Sequence, residues 1–263
     1  FEYTVNIAQG AGSASVTYLP GAAVASQSTI VAAPDSITAD NIVTSTVTVQ
    51  LKDIYGNNLI TGGDTVTIAT ISTAIGTPDT TVVDQNNGTY TITTKSITAG
   101  TDTFGFTVNS VAGTATDSVT YTSGPADPSK SEIVANPTSI TADGVTSSTV
   151  TVTLKDQYGN RLTTGHDSVE IFVDGTPVGS QSAILDHLNG TYTITTTSTV
   201  TGTDTFGFTV YDLPGNGTAS VTYTVGAADA SQSLISATPA SIVADNIETS
   251  TITVQLRDQY GNN

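Results

Sequence analysis

Three observations predict an all-β chain of tandem immunoglobulin-like β-sandwiches arranged as an extended rod. The first is a repeat. Lys52-Asp53-Ile54-Tyr55-Gly56-Asn57 returns as Lys155-Asp156-Gln157-Tyr158-Gly159-Asn160 and again as Arg257-Asp258-Gln259-Tyr260-Gly261-Asn262, so the turn tyrosines stand 103 and 102 residues apart. A period that long is a whole domain, because solenoid repeats run to roughly 20–50 residues. The second is strict two-residue alternation of apolar residues with threonine, the pattern of half-buried strands. The third is that about seven such runs, separated by turn residues, fall within one period, as in a sandwich. No segment carries an apolar stripe of helical period.

The repeat divides the 263 residues into four parts: 1–21, the C-terminal strands of a truncated repeat; 22–124 and 125–225, complete repeats; and 226–263, the N-terminal strands of another truncated repeat. About 100 residues is enough for an independent core. Phe1-Glu2-Tyr3-Thr4-Val5 matches Phe104-Gly105-Phe106-Thr107-Val108, deep inside a repeat, and Asn263 follows the recurring turn. The expectation is therefore a segment of a longer chain, with export signal and anchor elsewhere.

The elements can be followed through the second repeat. Gly124-Pro125-Ala126-Asp127-Pro128 reads as a short, stiff junction, with counterparts at Gly21 and Gly226. An edge-like strand around Ile133 ends at Pro137, since proline cannot donate to a ladder; Pro34 and Pro239 hold the same place. Val150, Val152 and Leu154 then share one face of a strand, as do Val47, Val49 and Leu51, and Ile252, Val254 and Leu256. Tyr158-Gly159-Asn160 makes a turn in which glycine is free to take positive φ. Val169, Ile171 and Val173 alternate next, followed by Tyr192 and Ile194, then Phe206, Phe208 and Val210, then Val221 and Tyr223. Threonine and valine suit such pleated, half-buried surfaces.

Asn87-Gly88-Thr89-Tyr90-Thr91-Ile92 recurs as Asn189-Gly190-Thr191-Tyr192-Thr193-Ile194. Two readings stand. Tyr90 and Tyr192 are placed like a tyrosine corner, two residues before Ile92 and Ile194, an apolar position that could replace the inter-sheet disulfide. Alternatively Asn-Gly is a hairpin turn and the tyrosine an ordinary core aromatic. Tyr55, Tyr158 and Tyr260 are likewise structural candidates.

Composition removes several functions. Six Lys and Arg stand against 23 Asp and Glu, a formal charge of −17. That balance argues against nucleic acid, which needs a basic footprint, and against docking on anionic lipid. It serves solubility and keeps beads apart. Without cysteine there is neither a disulfide framework nor a thiolate metal site. No apolar run reaches the roughly 20 residues of a membrane helix.

The stretch Ser139-Ile140-Thr141-Ala142-Asp143-Gly144, with Ser148 to Asp156 and Tyr158-Gly159-Asn160, resembles the bacterial Ig-like repeats of the intimin/invasin type (bacterial Ig-like domain group 1). The same pattern stands at Ser36 to Asn57 and Ser241 to Asn262, and the recurring Asn-Gly-Thr-Tyr and Gly-Phe-Thr-Val are also similar to that family. The resemblance covers essentially the whole chain. It implies a rod of tandem sandwiches on a bacterial surface or secreted, a stalk whose receptor contact lies in a terminal domain outside this segment.

Chemistry finds little purchase. His166 and His187 occur in the second repeat only, and Gly63 stands where His166 does. No nucleophile elbow, phosphate loop or zinc motif is present, so no enzyme and no cofactor is expected. Lys52 and Lys155 recur, but Arg257 replaces them in the third copy, which disfavours lysine isopeptide crosslinks and favours pairing with local carboxylates. Calcium is the ligand to weigh. It takes six to eight oxygens, and Asp40, Asp143 and Asp245 recur, as do Asp53, Asp156 and Asp258, and Asp64 with Asp167. Against it, no linear calcium loop exists, and aspartates in turns cap their own backbone. Asn87, Asn189 and Asn216 open Asn-Gly-Thr sequons, read here as turns. The functional expectation is a structural stalk whose partners are its neighbouring repeats. The alternatives are a filament or surface-layer subunit, in which copies of the chain join by strand addition, and an accessory module of a polysaccharide-active enzyme. The two partial ends together fall well short of one period, which disfavours the first alternative.

Overall fold

The computed structural model describes residues 2–5, 8–72, 74–79 and 81–263, with side chains from residue 14 onward. Phe1, the first residue of the match to Phe104, lies outside the described residues. Two compact units divide the chain, Phe1–Thr122 and Ser123–Asn263. No helix occurs among the described residues.

The first unit opens with an antiparallel hairpin of β1 (Glu2–Val5) and β2 (Ala8–Ser13). A complete sandwich follows. It comprises β3 (Thr29–Ala33), β4 (Ser36–Thr38), β5 (Ser45–Gln50), β6 (Val66–Thr70), β7 (Thr77–Pro78) and β8 (Val83–Asp84), then β9 (Thr89–Lys95), β10 (Gly100–Val108), β11 (Val111–Ala112) and β12 (Asp117–Thr122). One sheet runs β3-β5-β9-β7, with β8 also on β9; the other runs β6-β10-β12-β4, with β11 on β10. These are the A-B-E-D and C-F-G orders of the immunoglobulin fold. Only β4 pairs in parallel, through Ile37 beside Tyr121. Pro34 explains this switch of sheets. Its missing N–H ends the β3 ladder, and the Ser45 hydroxyl donates to the Pro34 carbonyl at 2.6 Å, fixing the bend from which β4 crosses to the second sheet.

Alternation in sequence becomes burial in space. Along β5 every second residue is buried, and Val47, Val49 and Leu51 are fully enclosed with Ile92, Phe104, Val119 and Tyr121. The second unit repeats the design with β13 (Glu132–Asn136), β14 (Ser139–Thr141), β15 (Ser148–Thr153), β16 (Val169–Val173), β17 (Ser180–Gln181) and β18 (Leu185–Asp186), then β19 (Thr191–Thr197), β20 (Gly202–Val210), β21 (Leu213–Pro214) and β22 (Ala219–Thr224). Val150, Val152, Leu154, Phe206, Phe208, Val210, Val221 and Tyr223 form its core. Val169, Ile171 and Val173 alternate as expected but are only half-buried, packing against the edge of the core.

The third copy, read from the sequence as the N-terminal strands of a truncated repeat, is covered less than the other two. β23 (Leu234–Thr238) and β24 (Thr251–Gln255) form a two-stranded hairpin. Ile252, Val254 and Leu256 are 60%, 56% and 58% exposed, whereas their counterparts Val150, Val152 and Leu154 are wholly buried. Two-residue alternation gives a strand one apolar face; burying it takes a second sheet, which the described residues 226–263 do not supply.

Two glycines test different constraints. Gly159 has φ +87° and open space around it, whereas Gly190 has φ +76° and a Cβ there would sit 2.4 Å from the Leu162 carbonyl oxygen. Gly159→Ala is expected to destabilise the second sandwich by about 1–2 kcal/mol, the cost of left-handed backbone. Gly190→Ala adds a main-chain clash and is expected to cost more than that. Urea unfolding of the two variants ranks them.

Candidate functional site at the repeat junction

The recurring turn is built around its aspartate. Asp53 Oδ1 accepts the Tyr55 and Asn57 backbone N–H groups, both at 2.9 Å. Its Oδ2 accepts the Asn57 side-chain amide at 3.0 Å and, from 32 residues upstream, the N–H of linker residue Gly21 at 2.9 Å. Gly56 takes φ +83°, which lets the chain fold back over the carboxylate. Asp156 holds Gly124, Tyr158 and Asn160 in the same way. Asp258 does so with Gly226, Tyr260 and Asn262. All three carboxylates are buried. A second clasp recurs beside each: the Val24, Asp127 and Asp229 N–H groups donate to the carbonyls of Lys52, Lys155 and Arg257 at 2.7–2.8 Å, while Ser28, Ser131 and Ser233 hydroxyls accept from the same three residues' N–H groups at 3.1 Å. The linker is thereby sewn into the repeat it introduces.

These donors stabilise the charged carboxylate. The Asn57 side chain first, then the Gly21 N–H, hold the Asp53 carboxyl down at about 2. At Asp258 burial pushes upward, but donation from the Asn262 side chain and the Gly226, Asn262 and Tyr260 N–H groups outweighs it, again to about 2.

In the second unit the turn also reaches the preceding repeat. The Tyr260 hydroxyl donates to the Asp143 carbonyl at 2.9 Å, and Asn262 bonds the main chain at Thr199 and Thr201. A cleft of ≈ 550 Å³ lies at this joint, lined among others by Asp143, Asp229, Asp258 and Tyr260. Tyr158 and Tyr260 are half-exposed, whereas Tyr55 is 87% exposed.

The calcium candidates are not brought together. The Asp40 carboxylate caps Ile42 and Val43, that of Asp143 caps Val145 and Thr146, and that of Asp245 caps Ile247 and Glu248. Asp64 accepts from the Asn109 amide and Asp167 from the Tyr211 hydroxyl. Among the described residues no three His, Cys, Asp or Glu side chains gather so as to hold a metal.

The tyrosine-corner reading needs correction. Tyr90 and Tyr192 lie on β9 and β19, in the sheet with β5 and β15, so they occupy the E-type strand and not the F strand. Ile92 is paired with Val47 in that same sheet and cannot stand in for an inter-sheet disulfide. Each phenol oxygen instead accepts a backbone N–H, from Asp64 and Asp167, both at 2.9 Å.

A polar group that sequence reasoning missed does bridge the sheets. Asp102, fully buried, accepts the Ile75 and Gly76 N–H groups at 2.8 Å and the Tyr121 hydroxyl at 3.2 Å. Tyr121 on β12 meets Thr94 on β9 at 2.7 Å. Asp204, Tyr223 and Thr196 repeat the arrangement. Burial pushes the Tyr121 and Tyr223 hydroxyls up to about 12. The exact recurrence of Gly-Thr-Asp-Thr-Phe-Gly-Phe-Thr-Val was the available signal.

The remaining candidates are ordinary surface groups. His166 and His187 are exposed, and His187 Nε2 meets the Thr193 hydroxyl at 2.9 Å. Lys155 pairs with Glu132, and Arg257 donates to Asn263.

Both complete units are thus immunoglobulin-like sandwiches whose repeated element is a linker-binding turn. The family model for invasin domain 3 matches residues 24–124 and 127–226, and the chain belongs to that family of intimin/invasin-type Ig-like repeats. It is similar to the crystal structure of invasin, a bacterial integrin-binding protein, at 28% identity and TM-score 0.57, over 78% of this chain and 41% of that one. It is similar to InvD of Yersinia pseudotuberculosis at 29% identity and TM-score 0.63, over 91% of this chain and 72% of that one. The Escherichia coli adhesin FdeC shares the fold at 22% identity and TM-score 0.66, over 93% of this chain and 77% of that one. The chain spans about two fifths of the invasin structure it matches.

Two outcomes follow from the geometry. A carboxyl depressed in the folded state contributes stability that is complete above its unfolded value, near 3.8, and is lost as pH falls through about 2. Asp53→Asn is therefore expected to lower stability at neutral pH, and the gap from wild type should narrow across that acid window in urea titrations. Because backbone and side-chain donors already occupy the recurring carboxylates, melting curves are expected to coincide in excess calcium and in chelator.

Proposed function

We propose that this chain is a stalk segment of a bacterial cell-surface, adhesin-type protein, which spaces a binding domain from its anchor through tandem Ig-like repeats. The observation that carries this reading is the direct succession of two family-matched repeats, with the linker glycine of each bound into that repeat's own buried carboxylate. A clasp of this kind fixes the linker against the repeat it introduces. The similarity to invasin, described as an integrin-binding protein, supports placement at the surface. Host contact is assigned to parts of the protein outside these repeats, and the charge of −17 keeps such a segment solvated. The partners of this segment are its own neighbouring repeats.

The reading is tested on intact cells carrying the full-length protein. Antibody raised against residues 24–226 should label them, and external protease should remove the epitope. Purified chain should bind neither host cells nor glycan arrays. Labelling only after lysis, or glycan binding by the purified segment, would overturn the stalk assignment.

A further inference from the structure

We propose that the Tyr-Gly-Asn tip of the recurring turn is a coupling surface that recognises the preceding repeat through its main chain alone. The inference rests on the stalk reading and specifies how consecutive repeats are joined.

At the joint within the second unit, the Tyr260 hydroxyl donates to the Asp143 carbonyl oxygen at 2.9 Å. Asn262 Nδ2 donates to the Thr199 carbonyl at 3.0 Å, and its Oδ1 accepts the Thr201 N–H at 3.1 Å. Each of these bonds ends on a backbone atom of the preceding repeat. The receiving groups belong to two loops that hold each other in shape. The Gly144 N–H donates to the Ser198 carbonyl at 2.8 Å. Ser198 Oγ accepts the Val200 N–H at 3.0 Å and donates to the Val200 carbonyl at 2.8 Å. The Asp143 carboxylate is occupied by its own turn, so its carbonyl is presented at a fixed angle.

The first complete repeat builds the same receiving end from different side chains. The Asn41 N–H donates to the Ser96 carbonyl at 2.9 Å, and Ser96 Oγ bonds both the N–H and the carbonyl of Thr98 at 2.9 and 2.8 Å. Asn41 takes φ +61° where Gly144 takes +73°. Ile97 stands where Thr199 does, and Ala99 where Thr201 does. The backbone scaffold is kept while the side chains change, as main-chain recognition requires. The partner this surface fits is thus any Ig-like repeat with that pair of loops, whatever residues decorate them.

Hydrogen–deuterium exchange on the whole chain tests this. Tyr260 lies outside the cores and its side chain takes no part in the Asp258 cluster, so Tyr260→Phe removes one joint bond and leaves the turn intact. Peptides covering 140–146 and 256–263 are expected to exchange about two- to tenfold faster, the loss of one net hydrogen bond. Thr199→Val, which changes only a side chain of the receiving loop, should leave exchange unchanged, as should Tyr55→Phe at those same peptides. An unchanged Tyr260→Phe profile would overturn the coupling role, and equal acceleration in Thr199→Val would overturn main-chain recognition. Because this readout is independent of cell labelling, its failure would leave the stalk reading standing.

Discussion

A charged carboxylate withdrawn from water at the start of each repeat governs the rest of the structure. Burying an ionised group is expensive unless hydrogen bonds replace its hydration, and Asp53, Asp156 and Asp258 each have four such donors. Three of the four come from the turn itself. The fourth is the linker N–H, which must therefore lie where the carboxylate needs it. Charge-assisted bonds of this kind are the strong ones. The junction that the sequence marks as short and stiff is fixed by the solvation demand of one side chain.

The sandwiches themselves face a different demand. Without cysteine, nothing covalent ties the two sheets. The buried Asp102–Tyr121–Thr94 chain, repeated as Asp204–Tyr223–Thr196, connects β12 to β9 and β22 to β19 through side-chain oxygens. Because every member has a partner, the network avoids the desolvation penalty of a stray polar group. It adds directional bonds between the sheets to the aliphatic packing of Val47, Val49 and Leu51.

How legible this was depends on the range of the interaction. Alternation could be read because period two and one-sided burial are the same fact, and Val150 and Val152 are buried where the pattern places them. The positive φ of Gly159 was readable because turns impose local geometry. What failed was non-local. Of the two readings of Tyr90, the corner fails because strand identity is set by pairing, and the pairing of β9 with β5 has no local signature. The role of Asp53 was obscured because its decisive donor, Gly21, lies 32 residues away. Recurrence marked the aspartates as important, but it could not separate metal ligands from residues that organise turns. At Ile252, Val254 and Leu256 alternation specifies a strand face, while burial of that face depends on strands beyond it.

The acidic composition then takes on a structural meaning. Asp40, Asp127, Asp143, Asp186, Asp229 and Asp245 are each held below the usual carboxylate range, most by nearby backbone and hydroxyl donors that outweigh desolvation. Much of the negative charge is therefore turn chemistry: aspartate recurs because a short anionic acceptor satisfies the N–H groups that a tight turn leaves unpaired. Mutual repulsion between such units is a consequence of that choice, and it works in the same direction as the joints. Like charges on successive repeats repel one another, while within the second unit Tyr260 and Asn262 bond the repeat that precedes them. Turn capping and separation of repeats are thus met by the same set of aspartates.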